Sequence, residues 1–580
     1  IGLSGLTALG TQVVWTRELA LLLGSSVYTF SIILAVFLFA LGAGSSFGSF
    51  VAERTKAPRL WLALSQLLLV ATLAWAGFAI HASLPYWPVD PFLMVSPWFN
   101  FQLDVLRCLW AIFPSAFLWG ASMPLALAAA AAPGVDPGRM VGSVYAANTV
   151  GAIIGALGFS LVAIPAIGVH DSYRLLMALA LVAGLLMMVV PRMTGGPAPR
   201  ERPLGRPALA AASAVAVAAT VVLGWAVPPV PPPFAALGRM LPKMETLPTV
   251  LYTGEGINSW ISVVEWQDGY RSFHVSGTAE ASNYPPEMRL QRMLAHTAAL
   301  THPRPRSVLV IGHGAGVTAG SFIPYPEIER IVVAEIEPLI PPRVGPFFAK
   351  ENNDLLKDVR VEIVADDGRH FLFTTRERFD IITTDPLQPW AKGAATLYTR
   401  EFFLRAKEVL NPGGVITQYV QLFESTPEVV KSELATFFEV FPNGVVWANE
   451  KDGAGYDTLL YARREAEPID VDAVQRRLEQ PDYGAVADSL AEVGLNSATD
   501  IFSTYAGSAS DLKAWLADAQ INTDRNLRLQ YLAGLGKNLN LQESIYADML
   551  RYLRFPEHLF TGSKETLEAL REAIESRRAE

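Results

Sequence analysis

The sequence is poor in cysteine and in charge. Cys108 is its single cysteine, which excludes an intrachain disulfide and any metal site built on cysteines. Only 17% of the 580 residues are charged, and they sum to −9, which gives no reason to expect a nucleic-acid partner. Lysine and arginine are missing altogether from residues 84–104, where Tyr86, Trp87, Trp98 and several prolines gather instead. Aromatic rings without basic residues are the pattern of an interfacial belt on the outer side of a membrane. No leader is legible either, because the chain opens at Ile1 inside an apolar segment and a natural start is expected before it.

What the chain has in excess is apolar residues, 51% of the total, and they are unevenly spread. A helix needs about twenty mostly apolar residues to cross a bilayer. Seven segments meet that need, roughly 1–23, 27–51, 60–83, 105–132, 141–168, 173–191 and 208–227, so residues 1–227 read as a helical membrane domain. Small residues recur at helical spacing, as Gly42, Gly44 and Gly48 and again as Gly151, Gly155 and Gly158, which lets helices approach closely. Polar groups within the spans are Gln12, Arg17, Glu18, Asn148, His170 and Asp171. Arg17 and Glu18 are read as a structural pair near a helix end, in preference to a transport path. Arg54, Lys56 and Arg59, then Arg139, then Arg192, Arg200, Arg202 and Arg206 fill alternate loops. The positive-inside rule makes those loops cytoplasmic and delivers the rest of the chain to the outer side.

Pro228–Pro233 reads as a stiff linker, extended to about residue 248. Residues 249–300 then read as a β-hairpin module with a connecting helix, 301–465 as alternating strands and helices, and 466–580 as a polar helical extension ending in a solvated helix. The alternation predicts a doubly wound, mostly parallel Rossmann-like sheet. Its first strand, Val308–Ile311, runs into Gly312-His313-Gly314-Ala315-Gly316 and a helix start, a turn in which the backbone comes close to a ligand. About twenty residues on, a second strand ends at Glu335, where an acid commonly holds ribose hydroxyls. A third strand ends at Asp366 and Asp367, a fourth at Asp385. Strand ends of this kind converge on one crevice.

The segments VSGTAEAS, LTHPRPRSVLVIGHGAG, VVAEIEP, ADDGRHF, FDIITTDPLQP, LYTREFF and LNPGGV, in this order, resemble the spermidine/spermine synthase (aminopropyltransferase) family. The whole chain resembles bacterial membrane proteins that fuse a transporter-like half to such a domain. The resemblance implies the fold of class I methyltransferases, decarboxylated S-adenosylmethionine as aminopropyl donor and a polyamine as acceptor, with no metal. It implies that Gly312, Gly314 and Gly316 line the nucleoside, that Glu335 holds the ribose, that Asp366 and Asp367 face the adenine, and that Gln291 contacts the nucleoside or its chain. Asp385 matches the acid that takes a proton from the attacking amine, with Pro386 fixing its turn and Tyr398 covering the site. Ala315, Gln388 and Leu290 stand where the family carries an acid, a second acid and a tyrosine, all on the amine side. Losing those groups makes putrescine a poor acceptor.

The readings left open are an aminopropyltransferase with an atypical amine acceptor, a methyltransferase using S-adenosylmethionine, and a non-catalytic transporter or sensor that binds a nucleoside or polyamine. The partners implied are a lipid bilayer, that of the bacterial inner membrane, a small amine or polyamine, and a second copy of the chain paired through the soluble part. The charge rule puts the soluble part outside, whereas donor supply puts it in the cytoplasm.

Overall fold

The computed structural model describes residues 1–90, 93–131, 136–189, 205–385, 388–451 and 453–578. Arg192, Arg200, Arg202 and Pro386, which the sequence reading used, lie outside the described residues. The chain divides into two units, one of Ile1–Gly24 with Tyr28–Glu245, the other of Ser25–Val27 with Thr246–Glu580.

The first unit is helical: α1 (Gly2–Leu23), α2 (Val27–Arg54), α3 (Pro58–Phe78), α4 (Pro97–Ala130), α5 (Pro137–Gly158), α6 (Ile164–Val189) and α7 (Arg206–Ala226). Five helical stretches, Val27–Arg54, Pro58–Tyr86, Pro97–Ala130, Pro137–Val189 and Arg206–Ala226, are long and apolar enough to cross a bilayer, by length and composition alone. The stretch Pro137–Val189 is broken at Gly168, whose φ of 74° belongs to the left-handed region, between the fifth and sixth segments read from sequence. The segment read as a stiff linker is free of helix only over residues 228–231; Pro232 then opens α8 (Pro232–Leu237). Proline suits a first helical turn, which needs no N–H, and burial of Phe234–Leu237 pins the segment to the helical unit.

The recurrent glycines divide into two kinds. A Cβ on Gly151 or Gly155 would overlap the α1 backbone at Gly2 or Leu6, and one on Gly44 or Gly48 would overlap α4 at Phe117 or Ala121. Gly42 and Gly158 face open space.

The second unit opens with an antiparallel module, β1 (Thr249–Glu255), β2 (Trp260–Glu265), β3 (Arg271–Val275) and β4 (Thr278–Ser282), in that order. After α9 (Pro285–Thr301) come β5 (Ser307–Ile311), α10 (Val317–Gly320), β6 (Arg330–Glu335), α11 (Ile340–Val344), β7 (Val361–Ala365), α12 (Gly368–Thr374), β8 (Phe379–Thr384), α13 (Arg400–Val409), β9 (Leu410–Gln421), α14 (Pro427–Val440), β10 (Val445–Lys451) and β11 (Ala454–Arg463). Further on lie β12 (Ile469–Asp470), β13 (Tyr505–Ser508) and β14 (Phe560–Thr561), of which β12 and β14 pair with each other. The large sheet is mixed, in the order β13-β10-β11-β9-β8-β5-β6-β7, with β9 to β7 parallel and β11, β10 and β13 antiparallel. The carboxyl ends of β5, β6, β7 and β8 therefore share one edge. β5 and β6 are almost wholly buried apolar runs, as central parallel strands must be when helices cover both faces.

Residues 466–580 are not a polar appendage. Leu490, Phe502, Tyr505, Tyr546 and Phe560 belong to the main core, and in the last helix Leu570 and Ile574 do so on one face while the glutamates face out. Composition averaged over both faces hid that stripe.

The glycine division predicts opposite outcomes. Gly155→Val should separate α1 from α5 and lower the melting temperature of the full chain. Gly42→Ala should raise stability by about 0.5–1 kcal/mol, the usual gain for a helix interior with room for a methyl. Thermal denaturation of the two purified variants checks this; a stable Gly155→Val protein would contradict the packing.

Candidate active site

The turn after β5 is built on three left-handed glycines, Gly312 (φ 88°), Gly314 (φ 54°) and Gly316 (φ 81°). At Gly314 the need is also spatial, since a Cβ there would overlap the Asp385 carboxylate. Asp385 follows β8, and its N–H donates to the Ile311 carbonyl at 2.8 Å, which ties the ends of β5 and β8 together. Its Oδ1 accepts from the Thr318 hydroxyl at 2.7 Å; its Oδ2 is buried without a hydrogen bond. Burial pushes the Asp385 carboxyl up to about 8, against the Thr318 hydrogen bond and with help from the Glu335 charge.

Glu335 ends β6. Its Oε2 accepts from the His313 N–H at 2.7 Å and its Oε1 from the Glu337 N–H at 2.8 Å. Burial raises its pKa, and those backbone donors pull it back. Each carboxylate oxygen can accept a second bond, so Glu335 can hold the turn and still receive ribose hydroxyls. Beside it lies a cleft of about 260 Å³ lined by Glu335, Pro338, Pro341, Leu356, Ile363 and Ala365. A flat apolar ring with a polyol attached suits such a lining. A larger basic groove of about 410 Å³, at Arg376, Arg378, Arg405 and Arg464, borders the amino ends of β8 and β9, away from this chemistry.

The other residues read from sequence fall in varied places. Asp366 faces His370, whose Nδ1 is 2.8 Å from Oδ2. Asp367 caps α12 by accepting from the His370 N–H at 2.9 Å. Gln291 donates to the carbonyls of Ser282 and Glu287, and its buried Oε1 has no partner. Gln388 donates to the Ala279 carbonyl at 2.9 Å, and its Oε1 is likewise orphaned. These two acceptors offer a ligand hydrogen bonds that the fold leaves unmade. Leu290 packs in the main core, and Ala315 packs with Ile261, Phe273 and Phe348. Tyr398 is fully buried and hydrogen-bonds to Gln418.

Tyr398 also marks what sequence reasoning missed. Glu433, Glu280 and Asp457 all act on it electrostatically, and Glu280 acts in turn with Asp385. Both oxygens of Glu433 and Oε2 of Glu280 are buried without hydrogen bonds, while Asp457 accepts from Tyr419 at 3.2 Å. Burial lifts all three acids well above the ordinary carboxylate range. The charges that act on them and on Asp385 are other carboxylates: Asp385 and Glu424 on Glu280, Glu287 on Asp457, Glu335 on Asp385. The sequence signal was available, in acids placed inside apolar runs at VVKSELATFF and YDTLLYA.

Residues 287–448 match the spermine/spermidine synthase domain model. A polyamine aminopropyltransferase of Nitrosomonas europaea is 32% identical over 185 residues, 31% of this chain and 56% of that protein. One of Leptospira biflexa is 31% identical over 182 residues, 31% of this chain and 64% of that protein. The chain thus spans between about half and two thirds of the length of these relatives. Among solved structures, a spermidine synthase from Thermotoga maritima is 22% identical, with 43% of this chain and 88% of that chain covered at a TM-score of 0.35.

The buried acid at the centre predicts a pH effect on stability. With a folded pKa of about 8 against an ordinary 3.8, Asp385 binds more protons folded than unfolded between those values, so its contribution to stability falls as pH rises through that window. Asp385→Asn keeps the Thr318 bond and removes the charge. Its melting temperature should therefore exceed that of the parent at pH 8 by a few degrees and converge with it near pH 4 (about 2–4 °C per kcal/mol for a unit of this size). A variant less stable at pH 8 would show that Asp385 is held ionised.

Proposed function

We propose that the second unit is an aminopropyltransferase that takes an adenosyl sulfonium donor at Glu335 and a multiply charged amine as acceptor, with Asp385 as the base. The observation that carries the reading is the group of acids formed by buried Asp385, Glu433 and Asp457 with half-buried Glu280, on which no cation among the described residues acts. Such a group is costly when empty and becomes favourable when a guest brings the positive charge. The three departures at Leu290, Ala315 and Gln388 therefore do not leave the amine side without acids.

When bound, the donor supplies an electrophilic methylene carbon next to a positive sulfur, which leaves as a neutral thioether. The fit rests on the cleft beside Glu335 and on the orphaned Oε1 of Gln291. Asp385 has two tasks. An ammonium has no lone pair, so the carboxylate must first pair with it and then accept its proton as nitrogen attacks. In the empty site the carboxyl tends to hold a proton near neutrality; two positive charges close by would favour its ionised form. Thr318 fixes the carboxylate, leaving Oδ2 as the oxygen free to receive the proton.

The reading also places the first unit in a bilayer. Large apolar side chains such as Phe39, Leu161, Val215 and Trp225 are exposed on its surface, the inverse of a water-soluble bundle, and support that placement. Protease access to the second unit in intact against opened cells decides between the outer side favoured by loop charge and the cytoplasmic side favoured by donor supply.

Turnover with decarboxylated S-adenosylmethionine and a panel of mono-, di- and polyamines tests the function. The polyvalent amines should react and the monoamines should not. Asp385→Asn should lose about a hundred- to ten-thousand-fold in rate while titration calorimetry still detects methylthioadenosine. Glu433→Gln should raise the acceptor KM with little change in donor binding. Tight methylthioadenosine binding with no turnover on any amine would favour the sensor reading, and methyl transfer from S-adenosylmethionine would favour the methyltransferase.

A further inference from the structure

The helical unit contains a buried ionisable cluster that the transferase reading does not use. Glu18 of α1, His81 and Tyr173 of α6 are fully buried together. The partner of Glu18 that the sequence reading missed is thus His81, distant in sequence: its Nε2 lies 2.6 Å from Glu18 Oε1. Tyr173 donates its hydroxyl to Glu18 Oε2 at 2.8 Å, and His81 Nδ1 lies 2.7 Å from the carbonyl of Pro228, just beyond the end of α7.

The partners fix the proton count. A carbonyl oxygen only accepts, so Nδ1 of His81 carries a hydrogen. The 2.6 Å contact between Nε2 and a carboxylate oxygen also requires a hydrogen, whichever atom holds it. The Glu18–His81 pair therefore holds one proton more than a neutral imidazole beside an ionised glutamate. With that proton the cluster is neutral; without it a carboxylate is left without a countercharge in a dry interior, which is strongly unfavourable. Releasing the proton thus requires the cluster to rearrange.

The backbone around the cluster departs from regular helix. His81 sits in a π-helical turn, Ala79–Ser83, and Tyr173 follows the break at Gly168. Such interruptions recur where helices carry function and can move. Tyr173 of α6 bonds to Glu18, and His170 of α6 interacts electrostatically with Glu18 and His81 and also with its neighbours Asp171 and Arg174; the segment after α7 contributes the Pro228 carbonyl. His170 is half-buried, with an unpartnered Nδ1, and lies within electrostatic reach of both Glu18 and His81. Asp171 and Arg174 beside it, joined at 2.9 Å, are exposed. The series leads from the dry pair towards water.

We propose that Glu18, His81 and Tyr173 form a binding site for one exchangeable proton in the helical unit, with His170 as its link to solvent and Pro228 as the contact released when the proton leaves. Proton transfer is the only step: the proton shared by Nε2 and Oε1 passes to the unprotonated ring nitrogen of His170 and on to water. The inference is independent of the transferase reading and of its donor and acceptor.

Glu18→Gln is the decisive variant because it can keep every hydrogen bond. Its amide oxygen accepts from Tyr173, its amide nitrogen donates to Nε2 of a neutral His81, and Nδ1–H still donates to Pro228. The full-length protein in nanodiscs, followed by infrared difference spectroscopy from about pH 4 to pH 10, a range that spans the free side-chain values of Glu and His, should show, among the carboxyl groups that change state, one component that belongs to Glu18. Glu18→Gln should abolish that signal while eluting as a folded species, and Tyr173→Phe, which removes one bond to Glu18, should shift the midpoint by at least about half a pH unit, the size of one weak hydrogen bond. Spectra of the parent and Glu18→Gln that coincide across the range would overturn the proposal, making the proton a fixed part of the fold. If Glu18→Gln fails to fold, the Tyr173→Phe midpoint decides alone: a shift supports the site, and an unmoved or absent titration overturns it.

Discussion

The second unit depends on keeping Asp385 under the glycine turn. Parallel pairing of β5 with β8 brings the turn and the acid to one edge of the sheet, and the Asp385 N–H to the Ile311 carbonyl sets their register. The turn then has to pass so close to the carboxylate that position 314 admits no side chain. Removing water from around Asp385 raises its pKa. The close approach that demands glycine is therefore the cause of the electrostatics.

Glu335 shows the same economy. Its carboxylate closes the turn through the His313 and Glu337 amides, so the residue that would hold a ribose also holds the loop shape that the ribose needs. Truncating it would leave two buried N–H groups without acceptors, and any loss of nucleoside affinity would then mix binding with folding. Glutamine is the informative replacement there, since its oxygen satisfies one amide.

The sequence was a good guide wherever a single face or a single turn carried the information. The four central strands, their acidic ends and the three glycines all follow from apolar runs broken by residues with special backbone freedom. Helices α2 to α7 follow from length and hydropathy, whereas α1, with Arg17 and Glu18, is not among the stretches apolar enough to cross a bilayer. What escaped was whatever depends on segments far apart in the chain. Glu18 and His81 are 63 residues apart, and no local rule pairs them. Glu433 stands on a helix and Asp457 on a strand whose neighbours are apolar, so pattern alone files each as a stray polar residue; only the folded sheet turns both towards Tyr398. The C-terminal stretch escaped for a different reason, since its charge is confined to one face and its apolar residues complete the core.

Both units bury carboxylates, and the contrast in how each balances them is informative. Glu18 has its countercharge inside the fold, a histidine at 2.6 Å that shares a proton with it, and its second oxygen receives a phenol. Such a site is complete, and its only exchangeable part is the proton. Glu433 has neither cation nor hydrogen bond, and Glu280 has only other acids acting on it. An interior that leaves several carboxylates unbalanced carries a standing cost, and the simplest way for it to persist is for a charged guest to remove that cost each time it binds. Discrimination follows from the same cost. A guest without positive charge would leave the acids as expensive as before, so under the proposed reading charge would be selected before any contact with the carbon chain.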